Sequence, residues 1–375
     1  MGNHIWTGTC PDWGGGLFLP RQTGLVWKVT GGYPDCKGEL PILFSHHNDD
    51  IGQCHRFIPY LFYSENIWGV DVFLMGFQSF PMDKQKQYMI KYSFKRRCKD
   101  HQSRFRSKVL QVGFDEYENV LFDDDGFKNG LNFYSGLGIF SSVNKRYPYF
   151  RKPLYCNLLR SEHIPFNFFV PLVGDKEFGK MVFNEILGGF IQKITQIKIE
   201  YPEQTPTKYL EDRTSFDTYI EYQHTDGSTG ILGIEVKYTE KSYPYSGPTE
   251  KEKMDDTDSI YYRRSKKSDV FENVDLTDLK QHKYRQIWRN HLLGESILIV
   301  DTPKFNHFHS LTFYPNGNTH FTEVLSGYKK FLKSEFQDRV QGVTYEKYFE
   351  ICRKHLPNEE FEKWLWYLER RYIVK

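Results

Sequence analysis

The sequence predicts an α/β fold, a mixed central sheet flanked by helices, preceded by a β-rich extension. Three observations lead there. The segments QIKIEY (196–201), FDTYIEY (216–222) and ILGIEVKY (231–238) follow one another with the period-two or β-branched character of strands. Segments of helical periodicity stand before and after them. Residues 1–92 read differently, because short aromatic runs such as LFLP, LVWKV and VDVFLM alternate there with Gly, Pro, Asp and Asn, and four of the seven tryptophans lie there. With 375 residues, the chain can form one large domain or two ordinary ones. The change of texture divides it into a 1–92 module and a 93–375 domain.

The first segment of that domain, from Lys91 to Lys108, carries eight cations against a single acid, Asp100. It reads either as a solvated basic helix or as a helix that contacts phosphates. LRSEHIPFNFFVPL follows as an apolar, loop-like stretch. In DKEFGKMVFNEILGGF, Phe178, Val182, Ile186 and Phe190 recur near helical spacing, which predicts a helix over about 175–188 ended by Gly188 and Gly189. The turn HTDGSTG joins the second and third strands as a hairpin. Residues 240–275 are polar and read as a long connection. A helix is expected from Thr277 to Leu293, stopped by Gly294, and then a buried strand, SILIVDTP. TYEKYFEICRKHL and EEFEKWLWYLERRYI read as two amphipathic helices.

Composition excludes several classes. The formal charge of +2 rules out a polybasic tail or an acidic solvating protein, and 17% aromatic residues rule out a disordered chain. No apolar run approaches the roughly 20 residues of a membrane span, and the first residues lack the pattern of a signal peptide, so a cytoplasmic protein is expected, without membrane contact. The six cysteines form no CxxC pair. Cys10, Cys36, His46, His47, Cys54 and His55 are read as buried thiols and surface histidines, since only Cys54 and His55 stand close together as zinc ligands usually do.

Asp217, Glu235 and Lys237 are the residues that carry chemistry. Glu235 and Lys237 are two apart on one strand, so both leave the same face of the sheet. The hairpin can bring Asp217 onto the neighbouring strand near the same end. Two carboxylates with a lysine suit a hard divalent ion, Mg²⁺ or Mn²⁺, and a phosphodiester substrate. The alternative is a surface ion pair with no chemistry. The apolar context of ILGIEVKY weighs against that alternative, because an unpaired charge in an internal strand is costly.

A helix with an internal Glu (MVFNEIL), a strand with Asp (TSFDTYIEY), a strand with E-x-K (GIEVKYTE) and a further helix, in that order, resemble the core of the PD-(D/E)XK nuclease superfamily. SEHIPFNFFVPL, RQIWRN and WLWYLERRYI add a narrower resemblance to its restriction-endonuclease-like bacterial proteins. The likeness covers about residues 95–375. It implies a restriction-endonuclease-like core, with Asp217 and Glu235 as metal ligands, Lys237 as the catalytic lysine and Glu185 adding a carboxylate to the metal shell. Gln281, Gln286 and Arg289 become candidates for contact with DNA, although no strict Q-x-x-x-Y is present to choose among them. Arg104, Arg106 and Lys108 are candidates for the nucleic-acid backbone.

The expected function is therefore Mg²⁺-dependent hydrolysis of DNA, endonucleolytic, in restriction or phage defence. A homodimer would supply two active sites for two strands, and a partner protein of a defence system is a further expectation. Two rivals belong to other classes: a catalytically inactive nucleic-acid-binding module, and a scaffold whose partner docks on the aromatic module. An intact Asp, Glu and Lys set argues against the first, since an inactive copy has no need of all three.

Overall fold

In the computed structural model, residues 93–202, 208–241, 245, 247–272 and 275–374 are described, and before residue 93 only the backbone of six short strands. The chain divides into two compact units, Met1–Tyr88 and Met89–Lys375. The β-rich extension remains an expectation of the sequence, and the Cys and His side chains weighed there for zinc lie outside the described residues.

The larger unit is built on five strands: β1 (Ile191–Tyr201), β2 (Phe216–His224), β3 (Thr229–Val236), β4 (His307–Tyr314) and β5 (Val340–Thr344). Their order across the sheet is β5-β4-β3-β2-β1. The first three run antiparallel as a meander, and β4 and β5 are added in parallel, so the sheet is mixed as expected. Parallel neighbours need crossover connections, and these are helical here. Ten helices of the described residues matter: α1 (Phe94–Phe105), α2 (Ile139–Arg146), α3 (Ile164–Gly174), α4 (Lys176–Leu187), α5 (Pro248–Asp255), α6 (Ile260–Ser268), α7 (Arg285–Val300), α8 (Thr319–Lys329), α9 (Tyr345–Lys354) and α10 (Glu359–Tyr372).

The sheet has a hydrophobic core on each face. Alternation along β3 distributes its side chains: Leu232, Ile234 and Val236 join the core under α3, α4, α9 and α10, while Ile231 joins the core under α6, α7 and α8. The odd-numbered face also carries Glu235. The first core is aromatic at its centre, where Phe168 meets Tyr345, Tyr348, Phe349 and Tyr372 at centroid distances of 4.9 to 5.5 Å.

Three segments differ from the sequence expectation. IPFNFFVPLVG is the buried helix α3, not a loop. Pro165 stands in its first turn, where no N–H is needed, and Pro171 comes near its end, so neither proline forbids it. Residues 248–268 fold as α5 and α6, because Met254, Ile260, Tyr261 and Tyr262 insert into the second core. SILIV is not a strand but the last turns of α7, and the strand lies further on, at HFHSLTFY. Gly294 does not stop α7. It lets Phe308 of β4 pack on the helix backbone, since a Cβ there would stand 2.1 Å from the Phe308 ring. The helix 175–188 is found as α4, capped by the Asp175 side chain and closed by Gly188 in a left-handed conformation (φ +97°).

Candidate active site

The β2–β3 register pairs Thr218 with Ile234, which sets Asp217 opposite Glu235 at the end of the hairpin ladder. The Asp217 carboxylate accepts a hydrogen bond of 2.6 Å from the Val236 N–H. Lys237 is almost wholly buried, and its ammonium donates to Glu235 and forms an ion pair with it. Two side chains one turn apart on α7 hold the remaining orientation of Glu235: Gln286 donates to its Oε1 and Asn290 to its Oε2, each at 2.6 Å.

Charge in this cluster is unbalanced. The Asp217 carboxyl is pushed well above the ordinary carboxylate range by burial first and by the Glu235 charge second, against the opposing pull of Lys237 and of the Val236 N–H. A cation between the two carboxylates would relieve what one lysine leaves. Asp217, Glu235 and Lys237 line a cleft of about 270 Å³, together with Glu162, Glu200, Arg213, Gln286, Arg289 and Asn290 among others.

Two further acids therefore face the cleft that sequence reasoning did not select. Glu162 stands just before α3, within SEHIP, with its Oε1 2.7 Å from the Arg160 guanidinium and its buried Oε2, which accepts no hydrogen bond, 3.8 Å from that of Arg151. Glu200 is near the end of β1, with a φ of +54° that a non-glycine residue seldom adopts and that costs of order 1–3 kcal/mol. Burial raises its carboxyl above the ordinary range, opposed by Arg146 at 3.6 Å. The available signal for Glu162 was its place in SEHIPFNFFVPL, a segment that carries part of the family resemblance. Taken as a loop, that segment draws attention to the acid of the next helix instead. The signal for Asn290 was its spacing, four residues after Gln286 on a helix.

The remaining candidates are spread apart. Glu185 on α4 is paired with Lys354 and with His355 at 2.8 Å, and it does not line the cleft. Gln281 is exposed and bonds Asp278 at 3.0 Å. Arg289 lines the cleft but is engaged by Glu250 at 2.7 Å, Asp212 at 2.9 Å and Thr214 at 2.8 Å. In the basic segment, Arg104 and Lys108 are exposed, whereas Arg106 is buried, donating to the Glu118 carbonyl at 2.7 Å and to that of Val112. Cys98, Gln102 and Phe105 turn the inner face of α1 into the core.

A five-stranded mixed sheet with an Asp and an E-x-K motif meeting at the end of its central hairpin is the arrangement the sequence resemblance implied. A model of the PD-(D/E)XK nuclease superfamily matches residues 83–374. The chain belongs to that superfamily. No curated protein and no solved structure matches it significantly. In this PD-(D/E)XK protein Asp217, Glu235 and Lys237 line one cleft and Glu185 does not, and among its described residues no helix is long and apolar enough to cross a membrane.

Proposed function

We propose that the protein is a Mg²⁺- or Mn²⁺-dependent deoxyribonuclease that cuts within DNA, in restriction or phage defence. The observation that carries this reading is the meeting of Asp217, Glu235 and Lys237 in one cleft, with two like charges against one cation. The donor set fits a hard divalent ion. Asp217 and Glu235 offer carboxylate oxygens, and Glu162 and Glu200 line the same cleft. When bound, such an ion polarises a phosphate oxygen and lowers the pKa of its water.

The chain's own residues do the rest. Lys237 places a fixed positive charge beside the position where negative charge grows on phosphorus. Gln286 and Asn290 hold the Glu235 carboxylate in one orientation, so that its oxygens need no reorganisation during the reaction. Arg289 anchors the wall of the cleft through Asp212 and Glu250. The exposed cations of α1 and the turn after it, Arg104 and Lys108 among them, suit contact with a phosphate backbone. The defence role, a cytoplasmic location and a homodimer cutting both strands belong to the same proposal and rest on the sequence likeness to restriction-endonuclease-like proteins.

The test is cleavage of supercoiled circular DNA, linear DNA and RNA by the full chain with Mg²⁺ or Mn²⁺. Linear product from circles, abolished by chelation and by Glu235→Gln, is expected. Metal-independent cleavage, or equal rates with Glu235→Gln, would overturn the assignment, and preference for RNA would change the substrate class.

A further inference from the structure

At the opposite end of β2 from Asp217 stands a second convergence of ligand atoms. His224 ends β2, Asp226 lies in the hairpin turn and His307 begins β4. Seven residues separate His224 from Asp217, which is about 23 Å along a strand. All three side chains offer a ligand atom, and these atoms lie within 4.8 Å of one another. His224 Nδ1 is 3.0 Å from Asp226 Oδ1, and His307 Nε2 is 3.5 Å from Asp226 Oδ2. Ligand bonds of about 2.1 Å at tetrahedral angles would separate two donor atoms by about 3.4 Å, so the spacing suits one ion.

The cluster is held in place before any ion arrives. The His224 ring is clamped between Phe190, at 5.2 Å, and His307, at 4.4 Å, both nearly parallel to it. Asp226 Oδ1 accepts from the Ser228 N–H at 2.8 Å. The Asp226 N–H donates to His224 Nδ1 at 3.2 Å, and the same nitrogen lies 3.0 Å from Asp226 Oδ1, so backbone and side chain of one residue both meet this ring. The Ser228 hydroxyl donates to Asp226 Oδ1, and its oxygen lies 2.8 Å from His307 Nε2, so one serine ties the carboxylate to the second imidazole.

We propose that His224, Asp226 and His307 form a transition-metal site of the Zn²⁺ class that fastens the β2–β3 hairpin to the start of β4. Two imidazoles and a carboxylate are the borderline donors that Zn²⁺ takes, and a water completes four-coordination. The oxygen-rich cleft suits harder ions, so the two ends of the sheet differ in the metal they select. Because β4 also carries Thr312, the partner of Glu235 in the ladder, the ion would fix the strand that backs the cleft.

Zn²⁺ alone, titrated calorimetrically into the full chain, tests this. Stoichiometries are compared between variants, since the chain has other thiols and histidines. His307→Gln and Asp226→Asn should each remove one Zn²⁺ per chain or weaken its binding at least about 100-fold. Asp217→Asn should leave that ion in place. Zn²⁺ should raise the melting temperature of the wild type and not that of the two variants. The exposed Asp226 keeps the test valid if His307→Gln misfolds, which circular dichroism reports. Equal zinc binding and equal stabilisation in wild type and Asp226→Asn would show that protons alone hold the cluster and would overturn the proposal.

Discussion

Asp217 sits beside a second carboxylate, whereas Glu185 sits between Lys354 and His355. One lies on a strand of the central sheet and the other on a helix packed against it, and by sequence both are candidates for the metal shell. At Asp217, burial and Glu235 push the carboxyl upward, and Lys237 offsets only part of this. At Glu185, bonds from Lys354 and His355 hold the carboxyl below its ordinary range. An acid whose charge is already balanced by its own chain has little to gain from an ion. The oxygens of Asp217 and Glu235 also accept hydrogen bonds, but only one lysine stands against the two carboxyls, so this pair gains by holding an ion. What marks a metal-binding carboxylate is thus the absence of sufficient local cations, which appears only once the chain is folded.

The largest effect that would test this contrast is at Lys237. Lys237→Ala should lower cleavage by at least about 100-fold, the usual scale for losing a group that stabilises charge in the transition state. Wild-type rates from single-turnover cleavage would make the cleft as passive as the Glu185 seam.

Next comes Asp217→Asn, which keeps an acceptor for the Val236 N–H and removes one charge. Mg²⁺ or Mn²⁺ affinity by calorimetry should fall at least about 100-fold. The metal-free variant should melt higher than the wild type at neutral pH. Because the folded-state value of Asp217 is raised, its ionisable carboxyl costs stability once pH exceeds the ordinary 3.8, so the gain should vanish as pH falls below that value. A pH-independent difference in melting temperature would assign the effect to packing instead. With metal the order should reverse, since an ion present at 100 times its dissociation constant stabilises the wild type by about 2.7 kcal/mol.

The sequence made Asp217, Glu235 and Lys237 legible because strand alternation is a local rule: two residues apart means one face, and a short hairpin fixes the partner strand. The helix holding Glu185 is equally legible as a helix. Its orientation is not, because which acid of which helix turns toward the cleft depends on how α3, α4 and α9 pack. Prolines make α3 resemble a loop, although one stands where a helix tolerates it and the other near its end. Gly294 has the local look of a helix stop, yet it serves the approach of Phe308, a neighbour 14 residues away in sequence that no local pattern announces. Asn290 and Gln286 lie on one face of the same helix, but only the packing of α7 over β3 shows that this face meets Glu235.

The same distinction between served and unserved charge separates the basic residues of the first helix. Arg106 is buried against main-chain carbonyls and the Phe114 ring, 4.9 Å from its guanidinium, whereas Arg104 and Lys108 are exposed. Arg106→Gln should destabilise the fold by about 1–3 kcal/mol in denaturant unfolding, because buried acceptors lose a charged donor. Arg104→Gln with Lys108→Gln should leave stability nearly unchanged and flatten the plot of log DNA affinity against log salt by about one unit for each phosphate no longer neutralised. An unchanged slope would make the outer face of α1 an ordinary solvated surface.

The smallest effect is expected at Glu185, and for that reason it sharpens the comparison most. Its carboxyl lies below the ordinary 4.5 because Lys354 and His355 bond its charged form. A depressed value contributes stability above the unfolded-state pKa and loses it as pH falls through the folded-state value. The group is exposed and screened, so the contribution is small. Glu185→Gln should therefore melt slightly lower than the wild type at neutral pH, and the difference should close as acid protonates the wild-type side chain. Cleavage and metal affinity should stay within about twofold of the wild type, since the residue touches neither the cleft nor its walls. A large loss of metal binding in Glu185→Gln, with the melting curve intact, would mean that α4 turns this acid away from Lys354 and His355 to reach Asp217. The cleft would then owe its charge balance to three carboxylates on the sheet side, not to the pair that faces Lys237.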